Sequence, residues 1–376
     1  MFELTSPEND PPAAKRHPVL YRGTAVRKKQ DSAVLFQEYR RSRVTASVNG
    51  NLKPLFATNG SCPVSLPAED NTPKGLQALL SANQYYREHA WPEPFDQTTH
   101  RLHHGDARDL SWIPDASVHL VVTSPPYWTL KEYPAHKSQM GAIEDYGRFL
   151  DELDRVWKEC ARVLVGGGRI CCVVGDVCIP RRFDGRHRVM TLHADIQVRA
   201  RALGLDCLTP IFWHKIANGV TEAEGNGAGF YGKPYQPGAV IKNDIEYILF
   251  LRKGGEYRSV SMLQKALSML TREEMHAWQR SIWADLRGAS TRDGHPAPYP
   301  VELAERLVRL FSFAGDTILD PFSGTASTSL AAILTGRNSI GNEIESAYVQ
   351  SAEKRLQKAA RQLCTMGAIT AEVNVD

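Results

Sequence analysis

Residues Val118–Thr123 read VHLVVT, a near-continuous apolar, β-branched run that ends on Ser124-Pro125-Pro126. Successive side chains of a strand point to opposite faces, so a run like this buries both faces. That demands a sheet covered by helices on each side. The rest of the chain supplies matching elements. Helical signals occupy residues 76–88, 149–164, 193–203, 301–312 and 326–334; in the second, Phe149, Leu150, Leu153, Val156, Trp157 and Val163 share one side. Strand signals occupy residues 169–174 (RICCVV), 210–214 (PIFWH), 246–252 (EYILFLR), 317–319 and 338–343, with Gly166–Gly168 read as a tight turn before the first. Residues 263–282 read as a further helix, with a capping-box pattern at Thr271–Glu274. Strands alternating with helices predict an α/β fold with a largely parallel sheet.

Composition sets limits. A chain of 376 residues can hold one large α/β domain with additions, or two modest ones. A net charge of +3 gives no global positive field, so any nucleic-acid face has to be a local patch. The seven cysteines (Cys62, Cys160, Cys171, Cys172, Cys178, Cys207 and Cys364) are odd in number and show no C-x-x-C spacing. They read as reduced, buried thiols of a cytoplasmic protein, with no zinc site. The N-terminus lacks the apolar segment of a signal peptide, and no run approaches the ~20 apolar residues of a membrane span. Residues 1–72 carry Lys15, Arg16, Arg27, Lys28, Lys29, Arg40, Arg41 and Arg43 with weak periodicity. They are either an arm that contacts phosphates or a solvated extension.

The chemistry concentrates in Thr123-Ser124-Pro125-Pro126-Tyr127-Trp128, directly after the buried strand. Ligands in open α/β sheets sit at such strand ends. Two prolines fix the backbone and lack N–H groups, so nearby carbonyls are available as acceptors. Ser124 adds a hydroxyl acceptor and Tyr127 a flat face for stacking. The set suits a planar group bearing an NH2. A second cluster, Asp320-Pro321-Phe322-Ser323-Gly324-Thr325, lies between a short strand and a helix. There Gly324 permits close approach of the backbone, and the helix start offers N–H donors to a carboxylate. Gly341-Asn342-Glu343 ends another strand, where an acid can bind both ribose hydroxyls.

The T-S-P-P-Y-W string resembles the catalytic motif of the DNA amino-methyltransferases, and Asp320–Thr325 is similar to their S-adenosylmethionine loop. Asp106, in His104-Gly105-Asp106, resembles the acid that binds the cofactor adenine. His295-Pro296-Ala297-Pro298-Tyr299-Pro300 resembles the segment before the cofactor loop. Phe212-Trp213-His214-Lys215 resembles an aromatic stretch beside the flipped base. With the catalytic motif first and the cofactor loop late, the order is the circularly permuted one of the beta class. The resemblance covers about residues 76–360. It implies a Rossmann-like methyltransferase fold, a mostly parallel seven-stranded sheet with a target-recognition insertion, and S-adenosylmethionine as cofactor.

The implied division is a basic extension (1–72), a catalytic half (73–215), a target-recognition region (216–293), a cofactor half (294–360) and a C-terminal tail (361–376). The implied catalytic residues are Ser124, Pro125, Pro126 and Tyr127. Tyr127, Trp128, Phe212 and Trp213 would flank the base. Asp106, Thr123, Asp320, Pro321, Phe322, Ser323, Gly324, Thr325 and Glu343 would hold the cofactor, and Lys215, Lys233, Arg258, Arg287 and Arg292 would touch DNA. No metal is expected; double-stranded DNA and a second copy of the chain are the expected partners. Serine at the head of the motif resembles the cytosine-N4 enzymes, while adenine N6 stays open because the geometry differs little. RNA or a protein amide as substrate, and a DNA-binding relative without activity, also stay open. Absence of a Pro-Cys pair argues against a covalent C5-cytosine mechanism. Absence of G-x-G-x-x-G after the first strand argues against a dehydrogenase.

Overall fold

The computed structural model describes residues 65–130, 138–179, 181–217, 220–221, 230–231, 237, 240–241, 243–286, 288, 299–365 and 370–376. Expectations for residues 1–64, for Lys233, Arg287 and Arg292, and for residues 295–298 lie outside these residues. Among the described residues, nine strands form the central sheet. In chain order they are β1 (Gln97–His104), β2 (Val118–Thr123), β3 (Leu164–Val174), β4 (Leu205–His214), β5 (Ile245–Lys253), β6 (Ile282–Trp283), β7 (Thr317–Asp320), β8 (Asn338–Glu343) and β9 (Thr370–Val375). Across the sheet the order is β6-β4-β5-β3-β2-β7-β8-β1-β9. Every pairing is parallel except those of β5, which is antiparallel to β3 and to β4. The inner seven strands are the expected mostly parallel sheet, and β6 and β9 extend its two edges.

Helices cover both faces, as the β2 sequence requires. They are α1 (Pro73–Glu88), α2 (Tyr146–Val163), α3 (Leu192–Ala202), α4 (Met262–Ser268), α5 (Arg272–Trp278), α6 (Val301–Phe311), α7 (Ser327–Thr335) and α8 (Ser346–Thr365). Val118 and Val121 of β2 join one core with Phe149, Leu153 and Trp157 of α2 and Leu192 and Ile196 of α3. Leu120 and Val122 join the opposite core with Leu303 and Leu307 of α6 and Ala331 and Ala332 of α7. The α2 stripe follows its three-and-four spacing, and Asp145 caps the helix by accepting the Arg148 N–H at 2.7 Å. Each large side chain fully buried in this way contributes roughly 1.5–3 kcal/mol.

The structure corrects several expectations. Gly166–Gly168 lies within β3, where the pairing with β2 shifts register, so it forms a bulge and not a tight turn. Gly167 has φ +71°, and a Cβ there would stand 2.8 Å from the Tyr257 ring. Residues 263–282 divide into α4 and α5, each opened by its own capping box, at Ser261 and at Thr271, and then the edge strand β6. Residues 216–293 are not one insertion. Within them β5 is an inner strand of the sheet, and Ala266 and Leu267 of α4 pack with Leu79, Ala82 and Tyr86 of α1. Residues 361–376, read as a tail, hold the end of α8 and the edge strand β9.

One edge of the sheet gathers the chemistry. Thr123 pairs with Cys172, Asp320 with Gly341, His104 with Glu343, and the start of β5 runs beside the end of β4 through Ile245 and His214. The carboxyl ends of the parallel strands therefore meet the first residues of β5. Ligands in open α/β sheets bind there.

Candidate active site

β2 ends and the chain turns through Ser124–Tyr127 across this edge. The Ser124 hydroxyl donates to the Tyr127 phenol oxygen at 3.3 Å, and Tyr127 donates to Glu246 Oε2 at 3.3 Å. Lys215 Nζ donates to Glu246 Oε1 at 2.8 Å, and Glu246 is only 9% exposed. Gly175, which follows β3, lies beside both: a Cβ there would be in ordinary contact, 3.4 Å from the Tyr127 ring and 3.5 Å from Glu246 Cγ. Trp128 turns away. Its φ of +46° starts a short helical turn, its indole N–H donates to the Ile143 carbonyl at 2.8 Å, and its ring packs edge-on to Tyr146. It is packed against the α2 core and does not line the cleft at this edge.

The expected aromatic pair on β4 divides because strand side chains alternate. Phe212 is half-buried and meets Tyr247 edge-on at 5.6 Å, and Tyr247 stacks flat on His193 at 3.7 Å. His193 Nδ1 lies 2.6 Å from Asp176 Oδ1. Trp213 faces the other way, 1% exposed in the α6 core, with its indole N–H donating to the Leu286 carbonyl. Trp213 is a core residue and cannot stack on a base. His193 and Tyr247 extend the aromatic surface of Phe212, and nothing in the sequence beyond residue type singles them out.

Across β2 lies the second cluster. Asp320, 1% exposed, accepts hydrogen bonds from the Thr123 hydroxyl (2.6 Å), the Tyr299 hydroxyl (2.8 Å) and the Phe322 N–H (3.1 Å). Burial pushes its carboxyl above the ordinary range against the pull of these donors. Glu343 accepts the Gly324 N–H at 2.7 Å and the Glu345 N–H at 3.0 Å, and burial raises its pKa too. Among the described residues neither acid takes part in a salt bridge. The loop between them is tightly wound: Ala326, fully buried, adopts φ +63° and ψ +45°, a left-handed conformation that costs a non-glycine residue on the order of 1–3 kcal/mol. Four of its N–H groups are engaged internally, Phe322 to Asp320, Ser323 to Asn342, Gly324 to Glu343 and Ala326 to Ser323. These four N–H groups hold the loop's shape.

An open cleft joins the two clusters. It is lined by Ser124, Pro125, Pro126 and Tyr127 from the motif, and by Asp106, Pro321, Phe322 and Glu343 of the expected cofactor residues. Gly105, Asn342, Tyr348, Gln139 and Met140 also line it. Thr123, Asp320, Ser323, Gly324 and Thr325 do not line it; they are buried behind it. Asp106 stays below the ordinary carboxylate range although burial opposes this, because the Arg108 guanidinium grips it; Arg108 also binds Glu152 and the Ser138 carbonyl.

The cleft fits S-adenosylmethionine on two observations. Ser323 Oγ and Asn342 Oδ1 are buried beside it with no hydrogen-bond partner. Glu343 in its wall and Asp320 buried behind the wall form no salt bridge among the described residues, which suits a ligand with a positive charge.

The model of the DNA methylase family that joins N6 and N4 enzymes matches residues 118–354. The chain belongs to this family. Type II methyltransferase M.MjaI of Methanocaldococcus jannaschii is 34% identical over 286 residues, covering 69% of this chain and 91% of the relative. Type II methyltransferase M.MthZI of Methanothermobacter thermautotrophicus is 31% identical, covering 70% and 78%. The crystal structure of TTHA0409 from Thermus thermophilus, complexed with S-adenosyl-L-methionine, is 49% identical with a TM-score of 0.60, over 73% of this chain and 98% of that one. The methylase uses S-adenosylmethionine and acts on DNA.

Two residues expected on the DNA have other partners. Lys215 forms the ion pair with Glu246 beneath Tyr127. Arg258 binds Asp316, a buried acid just before the amino end of β7, and packs over the Phe313 ring at 5.5 Å. That is the opposite end of the sheet from the cleft, so Arg258 is corrected to a structural cation. Among the described residues no group of His, Cys, Asp and Glu is arranged to hold a metal ion, and no helix is long and apolar enough to cross a membrane.

Proposed function

We propose that the methylase transfers a methyl group to N4 of cytosine in duplex DNA. The observation that carries this reading is the Ser124 hydroxyl in the cleft, next to the Pro125–Pro126 turn and the Tyr127 ring, with the cofactor acids across β2. A base within a duplex cannot reach that position, so the target must flip out at a cost of a few kcal/mol. The flipped ring stacks on Tyr127, with Phe212 and Tyr247 as the neighbouring aromatic surface.

The amino lone pair of the base is delocalised into its ring. The Ser124 oxygen and the Pro125 carbonyl accept the two amino hydrogens and draw the nitrogen toward a tetrahedral, nucleophilic form. This is alignment and fixed electrostatics, not strong base catalysis. Asp106, Glu343, Pro321 and Phe322 would hold S-adenosylmethionine, whose sulfonium methyl is the electrophile when it is bound. Serine as the first motif residue supports cytosine, as do the neutral acceptors it provides.

The test is incubation with tritiated S-adenosylmethionine and unmethylated genomic DNA, followed by digestion and mass spectrometry of the nucleosides. N4-methylcytosine is the expected product, absent with Ser124→Ala. N6-methyladenine would keep the chemistry and overturn the choice of base. Label appearing in RNA or protein but not in DNA would overturn the substrate.

A further inference from the structure

We propose that Glu246, held by Lys215, is a positioning residue that sets the direction of the hydroxyl chain ending at Ser124. The proposal rests on the reading of Ser124 as an acceptor for the amino group. A hydroxyl next to a phenol can point either way, and the direction decides what Ser124 offers to the cleft. If Tyr127 donated its proton to Ser124, the serine proton would be driven toward the base, against the N–H groups it has to receive. A carboxylate accepts and never donates. With Glu246 Oε2 3.3 Å from the phenol, Tyr127 donates to Glu246, so its oxygen is left to accept from Ser124. The lone pairs of Ser124 then face the base.

Lys215 completes the device. Its ammonium donates to the other carboxylate oxygen at 2.8 Å, which fixes the carboxylate in the almost fully buried position where Oε2 meets the phenol. The pair is also neutral overall, which suits a site that receives an uncharged base. No proton leaves the chain; only the sense of its hydrogen bonds is fixed. At 3.3 Å the two hydroxyl contacts are longer than the roughly 2.8 Å of a strong O–H···O bond, and catalytic hydrogen bonds commonly tighten with substrate in place.

Glu246→Gln keeps the shape and removes the direction, because an amide can donate as well as accept. Single-turnover methylation of duplex DNA by Glu246→Gln should slow on the order of 10- to 100-fold, the size typical of groups that orient a functional residue. Affinity for S-adenosylmethionine and for DNA should stay within about twofold, a split that a loss of folding would not produce. In a Tyr127→Phe background, where the chain is already cut, the same substitution should change the rate less than about twofold. Lys215→Met should slow the reaction and Lys215→Arg restore most of it. An unchanged rate in Glu246→Gln, or the same loss in both backgrounds, overturns the proposal. The product nucleoside of the unaltered enzyme keeps the two readings apart: N4-methylcytosine together with additive losses rejects the relay alone, and no methylated amino group in DNA rejects the reading beneath it.

Discussion

Glu246 and Asp320 are both buried carboxylates at the same sheet edge, on either side of β2, and their charges are balanced differently. Glu246 faces a lysine ammonium at 2.8 Å. Asp320 faces hydroxyls and a backbone N–H, and Glu343 beyond it faces backbone N–H groups only. The base side pairs its carboxyl with a cation, whereas the cofactor side holds two acids whose charged forms burial disfavours and a cation would favour. A neutral base and a sulfonium cofactor call for that division. The two sides should therefore fail differently when altered: one in rate, the other in affinity.

The largest effect is expected on the base side. Ser124→Ala should lower the single-turnover rate about 100- to 1,000-fold, the range for removing one preorganised hydrogen-bonding group, with cofactor affinity within about twofold. Loss of affinity on the same scale would mean the two sides are not separable. Next comes Asp320→Asn. It removes the charge and leaves a mismatched donor among Thr123, Tyr299 and the Phe322 N–H, a defect of about 1–3 kcal/mol. Calorimetric titration should show cofactor binding weakened about 10- to 50-fold, and the rate at saturating cofactor should fall much less.

Glu274 is a control carboxylate outside the cleft. Burial pushes it up, but Arg309 and Arg87 bind it and bring its pKa down to about 2 from an ordinary 4.5. An acid whose folded pKa is lowered stabilises the fold above its unfolded value, and that stability is lost as pH falls from about 4.5 toward 2. Glu274→Gln should cost about 1–2 kcal/mol at neutral pH, after allowance for partial exposure. The gap to the unaltered protein should close on acidification in urea unfolding curves, with rate and cofactor affinity per folded molecule unchanged.

How far the sequence could be read differs between the same two regions. The β2 motif and the cofactor loop were legible because each is local: a buried strand that stops on prolines, and a strand–loop–helix run of six residues. Their placement in one cleft follows from strand-end geometry. The internal use of the loop N–H groups was not legible, because a helix start reads the same whether its donors face a ligand or the neighbouring strand. Glu246 was hidden for another reason. It meets Tyr127 across 119 positions of sequence, and only the register of β5 beside β3 and β4 brings them together. Lys215 and Arg258 read as phosphate contacts because the buried acids that claim them, Glu246 and Asp316, are likewise distant in sequence. Trp213 could have been separated from Phe212 by the two-residue period of a strand, had the register of burial been known.

The charge division is tested most directly by comparing S-adenosylmethionine with S-adenosylhomocysteine, which lacks the sulfonium charge, in calorimetric titrations from about pH 5.5 to 8. Burial raises the pKa values of Asp320 and Glu343, so these acids gain charge above the ordinary carboxylate range. The account predicts that the preference for the cationic cofactor widens as pH rises, that Asp320→Asn flattens this dependence, and that Glu246→Gln leaves it intact. A preference that is the same at every pH, or one that Glu246→Gln abolishes and Asp320→Asn does not, would contradict it.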